Sequence, residues 1–201
     1  MATGSLFFQK SSKMKPLFSS LGVILLASIA AAQSPALQPA AGPGLTLTAP
    51  DIGDGGIIPP KYTQLAAHPV SPVLEWTHVP AGTVTFALIM HDPDVAPKRG
   101  SADNLHWIAF NIPGTATGLP ENVPGIPLLP DGTVQPKSLR GATGFVGPGA
   151  GAAGPYHHYT WELYALDIKL DLGPDATRED VLKAMDGHIL GKGVTFARFH
   201  R

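Results

Sequence analysis

The chain has 201 residues, 44% of them apolar and only 14% charged, with a formal net charge of −1 and no cysteine. That length holds one domain with a real core and is short for two. The near-neutral charge, without any Lys/Arg run, excludes the electrostatic footprint of a nucleic-acid binder, and the missing thiols exclude disulfides, thiolate–zinc sites and cysteine nucleophiles.

The amino-terminal stretch differs in kind from the rest. Lys10, Lys13 and Lys15 precede a short apolar run from Leu21 to Ile29, and Ala30-Ala31-Ala32 stands before Gln33. A basic segment, an apolar core shorter than the roughly 20 residues of a membrane helix, and small residues before a polar one read as a secretory signal peptide over residues 1–32. Met14 is an alternative start. Cleavage after Ala32 is expected to deliver a periplasmic or secreted protein with no stable transmembrane span. Residues 33–44, rich in Ala, Pro and Gly, read as a flexible lead-in, and residues 45–201 as the domain.

Within the domain, Leu45 to Thr48 alternates with the period of a half-buried strand. Asp51 to Pro60 is a turn-rich loop, and Val73 to Trp76 a short strand. Val84 to Met90 is nearly continuous apolar and predicts a central strand, with His106 to Ile112 as its neighbour. Pro120, Pro124, Pro127, Pro130 and Pro136 exclude a helix from the long irregular segment that ends in the glycine-rich stretch Gly147 to Gly154. Tyr159 to Ile168 predicts another long strand. One helix is predicted from about Asp175 to Ile189, with Thr177 as N-cap, Asp180 three residues on, and Val181, Leu182, Met185 and Ile189 at helical spacing. Val194 to Phe199 predicts the last strand. The fold class is therefore mainly β, two packed antiparallel sheets with one helix in the carboxy-terminal region.

Two clusters carry chemistry. His91-Asp92-Pro93-Asp94 leaves the central strand, and His106-Trp107 opens the next one, which brings acids and an imidazole to one sheet end. Locally, both aspartates can equally serve a turn by accepting from nearby backbone N–H groups. In Tyr156-His157-His158-Tyr159, strand alternation sends His157 and Tyr159 to one face and His158 to the other. The adjacent glycines let backbone N–H groups approach a ligand. Together these groups describe an anion site in which His157, His106 and Tyr159 donate and Asp92 orients an imidazole. Asp and His also suit zinc, but no His-x-His or HExxH spacing is present and the two adjacent histidines diverge, so no metal is assigned. No Gly-x-Ser-x-Gly or other nucleophile signature appears. The reading is a binding protein without a cofactor and not an enzyme.

The order of motifs resembles the phosphatidylethanolamine-binding protein family, most of all its bacterial, Raf kinase inhibitor-like branch. The matching residues are Asp54-Gly55-Gly56-Ile57-Ile58-Pro59-Pro60, Ser71-Pro72-x-Leu74-x-Trp76, Val79-Pro80-Ala81-Gly82-Thr83, Asp92-Pro93-Asp94, His106-Trp107, Asn111-Ile112-Pro113 and Gly154-Pro155-Tyr156-His157-His158-Tyr159. The resemblance implies a β-sandwich-like fold. It also implies a pocket made by Asp92, His106, His157 and Tyr159, with Gly147 and Pro148 in the lining loop. Its implied ligand is a small anion: phosphate, a phosphoryl head group or a carboxylate. It leaves two alternatives, an inhibitor of a protease or kinase acting on a protein target through surface loops, and a weak phosphoester hydrolase with His106 and Asp92 as its base pair. Three departures stand out. One extra residue follows Asp94, His158 stands where arginine is common, and the chain ends without the carboxy-terminal helix of animal members, so the eukaryotic signalling role transfers poorly.

Overall fold

The structure, a computed structural model, describes residues 44–201. The signal peptide expected over residues 1–32 and all of the expected lead-in except Gly44 lie outside them. Among the described residues no helix is long and apolar enough to cross a membrane.

Among the described residues, seven strands form two antiparallel sheets. The smaller has β1 (Thr46–Thr48), β2 (Leu74–Thr77) and β5 (Gly118–Leu119) in the order β1-β2-β5. The larger has β3 (Thr85–Asp92), β4 (Asn104–Pro113), β6 (His157–Leu166) and β7 (Ile189–Phe199) in the order β4-β3-β6-β7. β3 lies between two partners and is covered on both faces, which is why its sequence is a near-continuous apolar run rather than an alternating one. Phe86, Leu88 and Met90 enter the core between the sheets, with Leu47, Trp76, Trp107, Tyr159 and Trp161. Ala87 and Ile89 enter a second core on the opposite face, closed by Phe110, Val134, Leu170, Val181 and Met185. Each fully buried Leu, Ile, Phe or Met side chain of β3 stabilises by roughly 1.5–3 kcal/mol.

The helix α1 spans Arg178–Met185, shorter at both ends than the sequence predicts. Its start follows a capping box: Asp180 N–H donates to Thr177 Oγ1 at 3.1 Å, and Thr177 N–H donates to Asp180 Oδ2 at 2.9 Å. Its end comes at Asp186, because Gly187 takes a left-handed φ of 81° and Asp167 N–H then bonds His188 O at 3.1 Å. Ile189 therefore belongs to β7, paired with Leu166. Only Val181 and Met185 of the predicted apolar stripe are buried; Leu182 and Ile189 are exposed. The ends of the predicted strands lie within five residues of the observed ones, and β5 falls in the segment where the sequence predicts no strand. The irregular segment holds no α-helix, as its prolines require, yet it supplies Val134 to the second core through a bridge to Phe110.

Two irregularities in β4 matter. Trp107 pairs with Met90 and Leu105 with His91, so His106 is an extra residue, a β-bulge. Its carbonyl turns away from β3 and accepts from Val146 N–H at 2.9 Å. A second bulge near Asn111, with φ of 58°, directs that side chain onto the Leu170 backbone.

Candidate functional site

At the end of the large sheet, on the face toward the inter-sheet core, four side chains from three strands converge. Asp92 closes β3, His106 sits in the β4 bulge, and His157 and Tyr159 open β6. Without the bulge, alternation back from Trp107 would place His106 on the outer face with Ile108, a member of the second core. With it, His106 meets Tyr159 edge to face, ring centroids 5.1 Å apart. The four border a cavity of about 230 Å³ that is also lined by Gln64, Val95, Asn104, Leu139, Arg140, Gly149, Ala150 and Gly151. That is below the 300–1,000 Å³ of sites for drug-sized ligands, so it suits a small polar group.

The hydrogen bonds fix which atoms remain available. Asp92 is 2% exposed, although it is a carboxylate at a sheet end. Its Oδ2 lies 2.8 Å from His157 Nδ1, and its Oδ1 accepts from Asp94 N–H at 3.1 Å. Since a carboxylate accepts, His157 carries its proton on Nδ1 and leaves Nε2 free. His106 Nδ1 lies 2.7 Å from Val146 O. A carbonyl only accepts, so this nitrogen is the donor. Burial pushes the imidazole below the usual histidine value, against the bond to Val146 and the Asp92 charge, which raise it; Arg140 and His157 lower it further. Neutral His106 therefore presents Nε2 as an acceptor. The sequence-based expectation that His106 donates to an anion therefore requires a protonated ring, since Nδ1 is taken by Val146 O. Tyr159 is the opposite case: burial and the nearby Asp92 push its phenol well above the ordinary tyrosine value. It stays protonated, and its oxygen accepts from Ala150 N–H at 3.3 Å.

Strand alternation separates the rest as predicted. His158 faces outward and binds Asp94, with its N–H donating to Oδ2 at 2.6 Å and Nδ1 2.9 Å from the same oxygen. Burial raises the Asp94 carboxyl, but these bonds outweigh it and hold it low. Val95, the extra residue after Asp94, is in the cavity wall.

Two expectations are corrected. Gly147 and Pro148 are buried and outside the wall. Gly147 is a close-packing glycine: an added Cβ would lie 2.9 Å from Tyr62 O. Its carbonyl accepts from Gln64 Nε2 at 2.9 Å, while Pro148 O accepts from Gln64 N–H at 2.8 Å. The wall is made instead by the next three residues, Gly149 to Gly151. The carboxylate–imidazole pair is Asp92–His157, not the Asp92–His106 pair of the hydrolase alternative. Gln64, Asn104 and Arg140 were not singled out from sequence. Arg140 has a faint signal, as an isolated cation before Gly141.

A second cluster occupies the other face. His91 Nδ1 lies 2.5 Å from Asp103 Oδ2, and Asp103 also takes the guanidinium of Arg178 from α1. Burial raises the Asp103 carboxyl, but Arg178 and His91 outweigh it and hold it low. Beside it runs an open groove of about 850 Å³ lined by Asp103, Lys137, Asp175, Arg178 and Glu179, among others. The groove adjoins the small cavity through Asn104 and Leu139 but contains none of its imidazoles.

Fold and site together define a class: a two-sheet β protein with a small polar pocket at one end of its larger sheet. A family model described as "Phosphatidylethanolamine-binding protein" matches residues 48–200, and the chain belongs to that family. Its relatives place it in the branch that contains YbhB and YbcL. It is 43% identical over 150 residues to a UPF0098 protein of Methanothermobacter thermautotrophicus, covering 75% of this chain and 95% of that one. It is 31% identical over 157 residues to YbhB of Escherichia coli, covering 76% and 92%. Among solved structures it resembles E. coli YbcL, with a TM-score of 0.68 at 27% identity, covering 79% of this chain and 99% of that one. It also resembles a family homologue from Chlamydia trachomatis, with a TM-score of 0.68 at 30% identity, covering 79% and 98%.

Proposed function

We propose that this protein is exported and binds a small phosphoryl group, free or on a larger molecule, without transforming it. The observation that carries the reading is the mixed hydrogen-bonding character of the cavity. Protonated Tyr159 and the backbone N–H of Gly151 stand on the donating side, and His106 Nε2 stands as an acceptor. A hydrogen phosphate or phosphomonoester satisfies both, because its oxygens accept while its P–O–H donates. An ionised carboxylate has no proton for His106, so phosphate is favoured over acetate. The family's description as binders of a phosphate-bearing lipid head group supports the same ligand chemistry. The signal-peptide pattern of residues 1–32 supports export.

Calorimetric titration of the protein with inorganic phosphate and with acetate tests this. Saturable binding of phosphate, weaker or absent for acetate, is the expected result; no phosphate binding at millimolar concentration overturns it. The Asp92–His157 pair favours one further reading, phosphoester hydrolysis with His157 as general base oriented by Asp92. Turnover of p-nitrophenyl phosphate that disappears in Asp92→Asn would replace the binding-only reading with that one.

A further inference from the structure

The cavity poses a charge problem. Neutral N–H and O–H donors alone can hold an anion, but a cation facing it makes the stronger hydrogen bonds. Asp92 contributes the wrong sign, and His106 has its one proton committed to Val146. Tyr159 is neutral. Among the described residues that line the cavity, Arg140 is the one lysine or arginine.

Arg140 is also held in an unusual way. It lies within a single 3-10 turn, Leu139–Gly141, with φ of 59° and ψ of 20°, the left-handed region that side chains other than Gly and Asn rarely adopt. Gly141 follows at φ of 73°. The turn is tied down on both sides. Lys137 bridges to Thr143, Ser138 N–H donates to Ala142 O at 2.8 Å, and Gly141 N–H donates to Ser138 O at 3.0 Å. It is attached to the site itself: Ser138 Oγ reaches His106 O at 3.5 Å, the same carbonyl that Val146 N–H holds at 2.9 Å. Among the described residues the Lys and Arg ion pairs involve Lys61, Arg178 and Lys192, and Arg140 is in none of them. Its electrostatic effect is registered inside the cavity, where it opposes protonation of His106. The left-handed backbone lets the turn close on itself, and it leaves at the cavity wall an arginine that no carboxylate among the described residues pairs with.

We propose that Arg140 is the ligand-binding cation of this pocket, pairing its guanidinium with the oxygens of a bound phosphoryl group. The assignment rests on the anion reading above and deepens it. The planar fork of Arg matches two phosphate oxygens at once, which a lysine ammonium does not. It also restricts the ligand. The phosphate lies at the mouth beneath the exposed Arg140, so anything attached to it extends outward past the turn rather than into the core.

The test compares calorimetric titrations of inorganic phosphate into the full chain, wild type against Arg140→Gly and Arg140→Lys. Glycine is at home at this φ, so Arg140→Gly removes the charge without harming the turn, and its melting temperature should stay equal to or above wild type. Its phosphate affinity should fall roughly 10- to 100-fold, the size of a charge-assisted hydrogen bond, and should become less sensitive to added salt. Arg140→Lys, which keeps the charge and loses the fork, should lie between the two. Wild-type binding with an unchanged Arg140→Gly affinity overturns the assignment and leaves the anion reading standing. Absence of binding in the wild type overturns both. A loss of affinity in Arg140→Gly accompanied by a fall in melting temperature of several degrees overturns it too, because the residue would then be structural.

Discussion

His91 and Asp92 are neighbours on β3, yet they belong to two regions that do different things with the same chemical groups. Asp92 turns to the inner face and meets His157; His91 turns to the outer face and meets Asp103. Both are carboxylate–imidazole pairs with short contacts. The outer pair is closed by the guanidinium of Arg178, so α1 is fastened to the sheet through a three-residue ionic knot. The inner pair is left open: His157 Nε2, His106 Nε2 and the Tyr159 hydroxyl face a cavity where no guanidinium from the fold's interior completes them. A buried histidine–carboxylate pair is thus not in itself a site. The outer cluster also has unspent capacity, since His91 Nε2 is buried without a hydrogen-bond partner, but His91 lines none of the cavities described; capacity directed at a cavity distinguishes a site.

The sharpest contrast comes from Asp103→Ala. It strands Arg178 against the sheet, and breaking a largely buried pair costs about 2–4 kcal/mol, a loss that urea denaturation will show. Phosphate affinity is expected to stay within about twofold, the spread of an uncoupled site. A stable Asp103→Ala protein would mean that the outer cluster does not hold the helix. The converse variant, His157→Ala, should lower phosphate affinity about tenfold or more, and because it leaves the buried Asp92 carboxylate without its imidazole it should also cost about 1–3 kcal/mol of stability. An unchanged phosphate affinity in His157→Ala would mean that the two regions have been assigned the wrong way round.

Smaller effects refine the picture. Thr177→Ala removes one half of the capping box ahead of Arg178 and should cost about 1 kcal/mol, read as a shift in the urea midpoint. An unchanged midpoint would show that packing of Val181 and Met185 alone seats α1. The smallest effect is a pH dependence. The folded state holds His106 below its ordinary value, so the unfolded chain takes up a proton first as pH falls. This contribution to stability is present above about pH 6.5 and is lost as pH drops from there to the folded value. In His106→Gln, the decline in urea midpoint between pH 7 and 5 should flatten; identical slopes would mean that His106 is not the group refusing the proton.

The sequence makes some of this legible and hides the rest for physical reasons. Strand periodicity alone puts His157 and Tyr159 on one face and His158 on the other, and the structure agrees. The apolar run before His91 reads correctly as a central strand, and Thr177 with Asp180 as a cap. What could not be read is the bulge. Nothing in Leu105-His106-Trp107 announces the one-residue slip that turns His106 inward, because it is set by the partner strand and by Val146, 40 residues away. Gln64, Asn104 and Arg140 reach the cavity from separate loops and leave no local pattern. The cavity wall begins at Gly149 and not at Gly147, because Tyr62 and Gln64, far off in sequence, fix where that loop turns. Helical spacing runs on to Ile189, but Gly187 ends the helix before it.

The claim at the centre of this account is that the open inner pair, and not the closed outer one, receives an anion. NMR observation of the histidine side chains and backbone amides during titration with inorganic phosphate tests it most directly. Saturable shifts of His106, His157 and the amides of Gly149 to Gly151, with His91 undisturbed, are the predicted result. Shifts centred on His91 and Arg178, or none at saturating phosphate, would contradict it.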